Sequence, residues 1–190
     1  CSGKGILRLS CNNGLISTDL DNKSFKDIIT ILSKGIWVVQ KNIKQFKFLS
    51  DVYPHAVNTL RINTILYKRE PTLFLSFQKF ATGKSVIDNW DSGSLLVGID
   101  DKKGTLCKYG YYKPKEGDNK KVDRHPESGI IFDGWKIPFY REAVDLCLKA
   151  HRFFYGRFII GWDLIITDNG PLILEANSAP EIYPMQVLFG

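Results

Sequence analysis

The stretch GWDLIITDNGPLILEANSAP, residues 161–180, sets Asp163, Glu175 and Asn177 among isoleucines and leucines. Two apolar, β-branched runs flank the turn formers Asp168, Asn169 and Gly170, so the stretch reads as a hairpin of two strands. Side chains alternate faces along a strand, which puts Glu175 and Asn177 on one face with Ile173. Whether Asp163 joins them depends on the turn. A two-residue Asn169-Gly170 loop sets Asp163 opposite Ala176, pointing away from Glu175. A three-residue loop over Asp168, Asn169 and Gly170 sets Thr167 opposite Pro171 and Asp163 opposite Glu175. Asn-Gly favours the short loop. That loop, however, closes with an N–H from residue 171, which is proline and has none. The expectation is therefore the longer loop, with Gly170 in the left-handed position that ends it. All three oxygen-bearing side chains then share one face.

Two facing carboxylates repel, and burying either alone costs roughly several kcal/mol. A divalent cation removes that cost. Carboxylate and amide oxygens are hard ligands, suited to Mg²⁺ or Mn²⁺ rather than Zn²⁺. Asp163, Glu175 and Asn177 are thus the candidate metal ligands, with positions left open for phosphate oxygens. The alternative is an edge hairpin whose polar face meets water, which its apolar neighbours disfavour.

Upstream, SFKDIITILSK (24–34) spaces Phe25, Ile28, Ile29 and Leu32 as a helix does, with Ser24 as N-cap and Gly35 beyond its end. GIWVVQKNI (35–43) reads as a buried strand, and TLRINTILYK (59–68) and PTLFLSFQKF (71–80) as strands joined by a short turn. SLLVGID (94–100) and TLCKYGYY (105–112) are further strands. Residues 137–154 keep the period of an amphipathic helix, with Pro138 near its first turn. One or two crossovers are available, so the chain is read as α+β with a mainly antiparallel sheet and flanking helices.

The bulk properties narrow the function. At 44% apolar and 24% charged residues, the composition is that of a globular protein. A net charge of +6 favours anionic partners such as nucleotides or phosphates. No groove-binding motif points to nucleic acid. The basic run at 113–124 is broken by Gly, Pro, Asp and Asn and reads as a solvated loop. Cysteines at 1, 11, 107 and 147 form no CxxC, so zinc and a disulfide framework are not expected. Reduced thiols suit a cytoplasmic location. No apolar run is long enough for a membrane span, and no signal peptide is seen. Oligomeric state is left open.

The hairpin resembles the carboxy-terminal metal-binding hairpin of ATP-grasp ligases, where an acid on one strand precedes a Glu-x-Asn on the next. Gly-Trp-Asp, Gly-Pro and Glu-x-Asn are most similar to the sugar-transfer-associated branch. WVVQKNI (37–43) resembles the hinge strand that meets adenine, which implies nucleotide contacts from Val39, Gln40, Lys41 and Ile43. Lys41 stands where a Glu is usual. NTLRINTIL (58–66) resembles the strand that aims an arginine at the phosphates, here Arg61 in a catalytic role. An arginine among apolar neighbours needs an anion, which agrees. SGKGI (2–6) resembles the glycine-rich loop over the triphosphate, adding Lys4.

DNWDSGSLLVGID (88–100) resembles the family's Asp-Asn turn, where Asn89 reads as a turn former, and His125 is given no catalytic role. The resemblance implies residues 1–45 as part of the nucleotide-binding lobe and 46–190 as the carboxy-terminal lobe, without the amino-terminal subdomain. It further implies an ATP- and Mg²⁺-dependent ligase that activates a carboxylate as an acylphosphate, in cell-surface polysaccharide biosynthesis, with a small-molecule or saccharide substrate. A catalytically inactive nucleotide- or sugar-binding module is the alternative.

Overall fold

The computed structural model describes residues 9–12, 15–18, 24–38, 40–83, 85, 87–114 and 120–190. The chain divides into two compact units, residues 1–43 and 44–190. In the first, β1 (Leu9–Asn12) pairs antiparallel with β2 (Leu15–Thr18), a small hairpin with no counterpart among the sequence expectations. The expected helix forms as α1 (Phe25–Leu32). Ser24 starts it with a reciprocal cap. Its hydroxyl accepts from the Asp27 N–H at 3.3 Å, and the Asp27 carboxylate takes the Ser24 N–H at 2.8 Å.

The strand expected over 35–43 does not form. Residues 36–38 and 40–43 carry no ladder, and Ile36 and Val38 are 103% and 83% exposed. A β-branched run becomes a strand only where a neighbour takes its backbone hydrogen bonds. No described residue does so here.

The second unit contains α2 (Lys47–Ser50), β3 (Leu60–Tyr67), β4 (Glu70–Phe80), a 3₁₀ turn (Trp90–Ser92), β5 (Leu95–Asp100), β6 (Thr105–Tyr111) and β7 (Lys121–Val122). They are followed by α3 (Tyr140–His151), β8 (Ile159–Thr167), β9 (Gly170–Asn177) and α4 (Tyr183–Phe189). Seven strands form one antiparallel sheet in the order β7-β6-β5-β4-β3-β8-β9. Strands β3 to β7 meander outward. Helix α3 then carries the chain back to the other side of β3. The antiparallel α+β architecture is as expected. Pro138 stands two residues before Tyr140, near the first turn of α3 as expected.

Alternation along the central strands divides the sheet into two faces. Leu60, Ile62, Phe80, Val97, Trp162 and Leu164 point to the main core, against Ala143, Val144 and Cys147 of α3. Polar groups on this face close on one another. The Trp162 indole N–H donates to Thr64 Oγ1 at 2.8 Å, and that hydroxyl lies 2.7 Å from His151 Nδ1. His151 Nε2 is 3.0 Å from the Arg157 carbonyl oxygen, which can only accept. The neutral ring therefore carries its proton on Nε2 and takes the Thr64 O–H at Nδ1. Ser76 and Tyr140 likewise both donate to Asp101, fixing the start of α3. Burial and then the Asp101 contact push ionisation of Tyr140 upward.

The opposite face carries Arg61 and Asn63 of β3, Phe77 and Lys79 of β4, Leu96 of β5, and Gly161 and Asp163 of β8. Over its β4–β5 side, Leu75, Phe77, Trp90 and Leu96 pack with Met185 of α4.

The β8–β9 turn differs from the expectation. Thr167 pairs with Gly170, so the loop is the two residues Asp168 and Asn169. The Thr167 hydroxyl donates to the Gly170 carbonyl at 2.8 Å and accepts from the Asn169 N–H at 3.2 Å. The pairing closes one residue before Pro171, so the missing N–H is never required. Gly170 does adopt positive φ, 104°. The odd residue is taken up further along, where Leu164 pairs with Ile173 but Asp163 pairs with Glu175. Leu174 is a β-bulge, and it restores the opposition that a longer turn was expected to produce.

Candidate functional site

Two cross-strand rows build the site. One runs Arg61–Asp163–Glu175 across β3, β8 and β9; the next runs Asn63–Gly161–Asn177. At the centre, Arg61 grips Asp163 with both arms of its fork, Nε to Oδ1 at 2.7 Å and Nη2 to Oδ2 at 2.8 Å. Lys79 Nζ lies 2.7 Å from the same Oδ1. These three side chains are only 14%, 13% and 16% exposed for Arg61, Asp163 and Lys79. Burial alone would push the Asp163 carboxyl up, but the Arg61 hydrogen bond and the Lys79 charge outweigh it and hold the group below its ordinary value.

The burial cost that pointed to a divalent cation is thus met within the chain, by two basic side chains. This corrects the electrostatic argument made from sequence. Glu175 faces Asp163 in register but is exposed. Asn177 Nδ2 approaches Asp163 Oδ2 at 3.5 Å.

Lys79 was not singled out in the sequence. It ends an apolar run, where a lysine ordinarily marks the solvated tip of a strand. Asp88 is a second addition. It accepts from the backbone N–H of Thr59 at 2.6 Å and from its hydroxyl. Burial raises its pKa, against the opposing pull of Lys79 and with a push from Asp163. Acidic and basic groups therefore alternate as Asp88, Lys79, Asp163 and Arg61.

Asn63 is wholly buried, and neither its amide nitrogen nor its oxygen finds a partner among the described residues. Gly161 beside it is kept small by its surroundings. A Cβ there would fall 2.8 Å from Pro180 Cβ, 3.0 Å from Arg61 Nη1 and 3.1 Å from Asn63 Oδ1.

The remaining expectations distribute as follows. Gln40 and Lys41 are exposed, Ile43 is half-buried, and all three belong to the first unit. Lys4 and Val39 lie outside the described residues. Asn89 caps the 3₁₀ turn, accepting from Asp91 N–H at 3.0 Å. His125 is buried with Nε2 3.0 Å from the Ala81 carbonyl, a structural contact; burial lowers its pKa. Lys113, from the basic run, pairs with Asp91.

An acid opposite an acid, with an amide two residues on, is the arrangement the ATP-grasp resemblance implied. The sequence model of the sugar-transfer associated ATP-grasp family matches residues 11–190. The chain belongs to that family. No curated protein and no solved structure matches it significantly. ATP-grasp enzymes generally use ATP with Mg²⁺ or Mn²⁺, so membership points to an ATP-dependent, ligase-like activity on small molecules. No described helix is long and apolar enough to cross a membrane.

The ATP-grasp hairpin suits a hard cation by the chemistry of its donors, two carboxylates and an amide on one face. Among the described residues no group of three or more His, Cys, Asp or Glu could hold a metal ion. A metal here would rely on Asp163, Glu175 and the Asn177 amide oxygen.

Proposed function

We propose that the chain is the catalytic region of an ATP- and Mg²⁺-dependent ligase that activates a carboxylate as an acylphosphate for attack by an amine or related nucleophile. The acceptor would be a saccharide or its precursor in cell-surface polysaccharide synthesis. The observation that carries the reading is the buried Arg61–Asp163–Lys79 cluster on the sheet face shared with Glu175 and Asn177. It concentrates two fixed cations and hard oxygen donors in one place, as phosphoryl transfer requires.

Asp163, Glu175 and Asn177 would hold Mg²⁺ or Mn²⁺, which when bound neutralises phosphate charge. The chain's own part is electrostatic and positional. Asp163 fixes the planar fork of Arg61, leaving Nη1 of that fork out of the Asp163 contact and beside Gly161. Lys79 adds a point charge on a flexible stem, able to follow a phosphoryl oxygen as it moves. Gln40, Lys41 and Ile43, with Val39 and Lys4, are proposed for the nucleotide on the family resemblance.

Calorimetric titration with ATP tests the reading. Wild-type protein binds with Mg²⁺ present and not in its absence, and Glu175→Ala abolishes that binding. Metal-independent binding that ignores the substitution would overturn it. Release of ADP in the presence of an acceptor separates a ligase from a module that only binds.

A further inference from the structure

At the end of the sheet where β8 begins, two adjoining turns present aromatic rings to water. Phe153, Tyr155 and Phe158 of the α3–β8 loop are 87%, 100% and 67% exposed, and Tyr67 at the end of β3 is 59% exposed. Exposed rings in such a group are costly, and their clustering calls for a partner. The two turns are joined to each other. The Leu66 N–H donates to the Phe158 carbonyl at 2.8 Å, and Arg152 pairs with Glu70 at 3.4 Å.

The rings are held outward by the fold. Phe154 turns in and meets Trp162 edge-on at 5.4 Å between centroids. The Phe153 and Phe154 N–H groups bond to the Ala150 and His151 carbonyls, both at 3.0 Å. Gly156, at φ 74°, turns the tip. With the loop pinned in this way, its neighbouring rings stay exposed.

Cations alternate with the rings. Lys68 and Arg69 form the β3–β4 turn, and Arg152 and Arg157 flank the aromatic tip; neither turn holds an acid, and Glu70 follows as the first residue of β4. Aromatic rings interleaved with arginine and lysine match the interface of an anionic bilayer, where rings settle at headgroup depth and cations meet lipid phosphates. A symmetric pair of chains joined through this rim would set like charges face to face, which disfavours a second copy as the occupant.

We infer that this rim is a peripheral docking surface for anionic membranes. Asp163 is five residues along β8 from Phe158, about 17 Å at the usual strand rise. Docking would therefore hold the Arg61–Asp163 cluster within reach of an acceptor anchored in the lipid. The inference rests on exposure and charge alone and does not depend on the ATP chemistry.

Co-sedimentation with vesicles decides it. The purified chain is expected to pellet with phosphatidylcholine mixed equally with phosphatidylglycerol, and less with phosphatidylcholine alone. The double variant Lys68→Asn/Arg69→Gly suits a turn with two positive φ angles and should lower partitioning roughly fivefold per cation removed. Phe153→Ser/Tyr155→Ser should lower it about tenfold or more, with the thermal midpoint of both variants unchanged. Absence of wild-type binding would overturn the inference, as would equal binding to both vesicles or binding that neither variant alters. So would a wild-type dimer that the aromatic variant dissociates, without vesicle binding, since the rim would then be a self-association surface.

Discussion

The Thr64–His151–Trp162 network under α3 and the Arg61–Asp163 cluster on the other face of the sheet handle buried polar groups in opposite ways. Under α3, Thr64, His151 and Trp162 form a chain in which each donor has an acceptor and the chain ends on a backbone carbonyl. On the other face, two cations share one carboxylate, Asn63 is buried with neither amide atom partnered among the described residues, and Glu175 stands exposed opposite Asp163. A closed network is explained by packing. An open one, with surplus positive charge and unused hydrogen-bonding capacity, is what the proposed nucleotide site would account for.

The contrast can be broken by substitution. Asp163→Ala should have the largest effect, about 3 kcal/mol in urea unfolding, because Arg61 and Lys79 lose their shared counter-ion while remaining buried. Thr64→Val should follow, at about 1–3 kcal/mol, by stranding the Trp162 N–H and the His151 ring. It should leave nucleotide binding intact; loss of binding would mean that the closed face also serves function.

Acid should act on the open face in two directions. The folded Asp163 carboxyl titrates below its unfolded value, so its contribution is present at neutral pH and lost as pH falls through that lower value. Asp88 titrates above its unfolded value, so between the two values the folded state binds the extra proton and gains stability as pH falls. Unfolding followed against pH should therefore show Asp88→Asn abolishing a rise that Asp163→Asn leaves in place. The smallest stability changes, within about 0.5 kcal/mol, are expected for Glu175→Gln and for Asn63→Leu, which removes two unpaired polar atoms at nearly constant shape. Both should nevertheless weaken Mg²⁺-dependent nucleotide binding in calorimetry. A large destabilisation by Asn63→Leu would show that Asn63 is satisfied in solution.

Much of the fold was readable because it is local. Ser24 and Asp27 announce the α1 cap, and alternation along 60–67 and 159–167 separates Arg61 and Asp163 from the core positions beside them. What escaped was non-local. Lys79 becomes a site residue only because β4 lies beside β3, which brings it to Asp163. The Thr64–His151 contact spans 87 residues and leaves no periodic trace. The run at 36–43 has the composition of a strand but lacks a ladder partner among the described residues. Asp163 does face Glu175, yet through a bulge at Leu174 that no turn rule predicts.

That bulge makes the tip of the hairpin and its acidic end separable in parity. Shortening or lengthening the turn at Asp168–Asn169 by one residue would invert every side chain of β9 unless Leu174 were gained or lost in step. Insertions in the tip should thus be tolerated in pairs, or singly when matched by a deletion near Leu174. Deleting Leu174 alone would instead straighten the ladder, with Glu175 following Ile173 directly and still opposing Asp163.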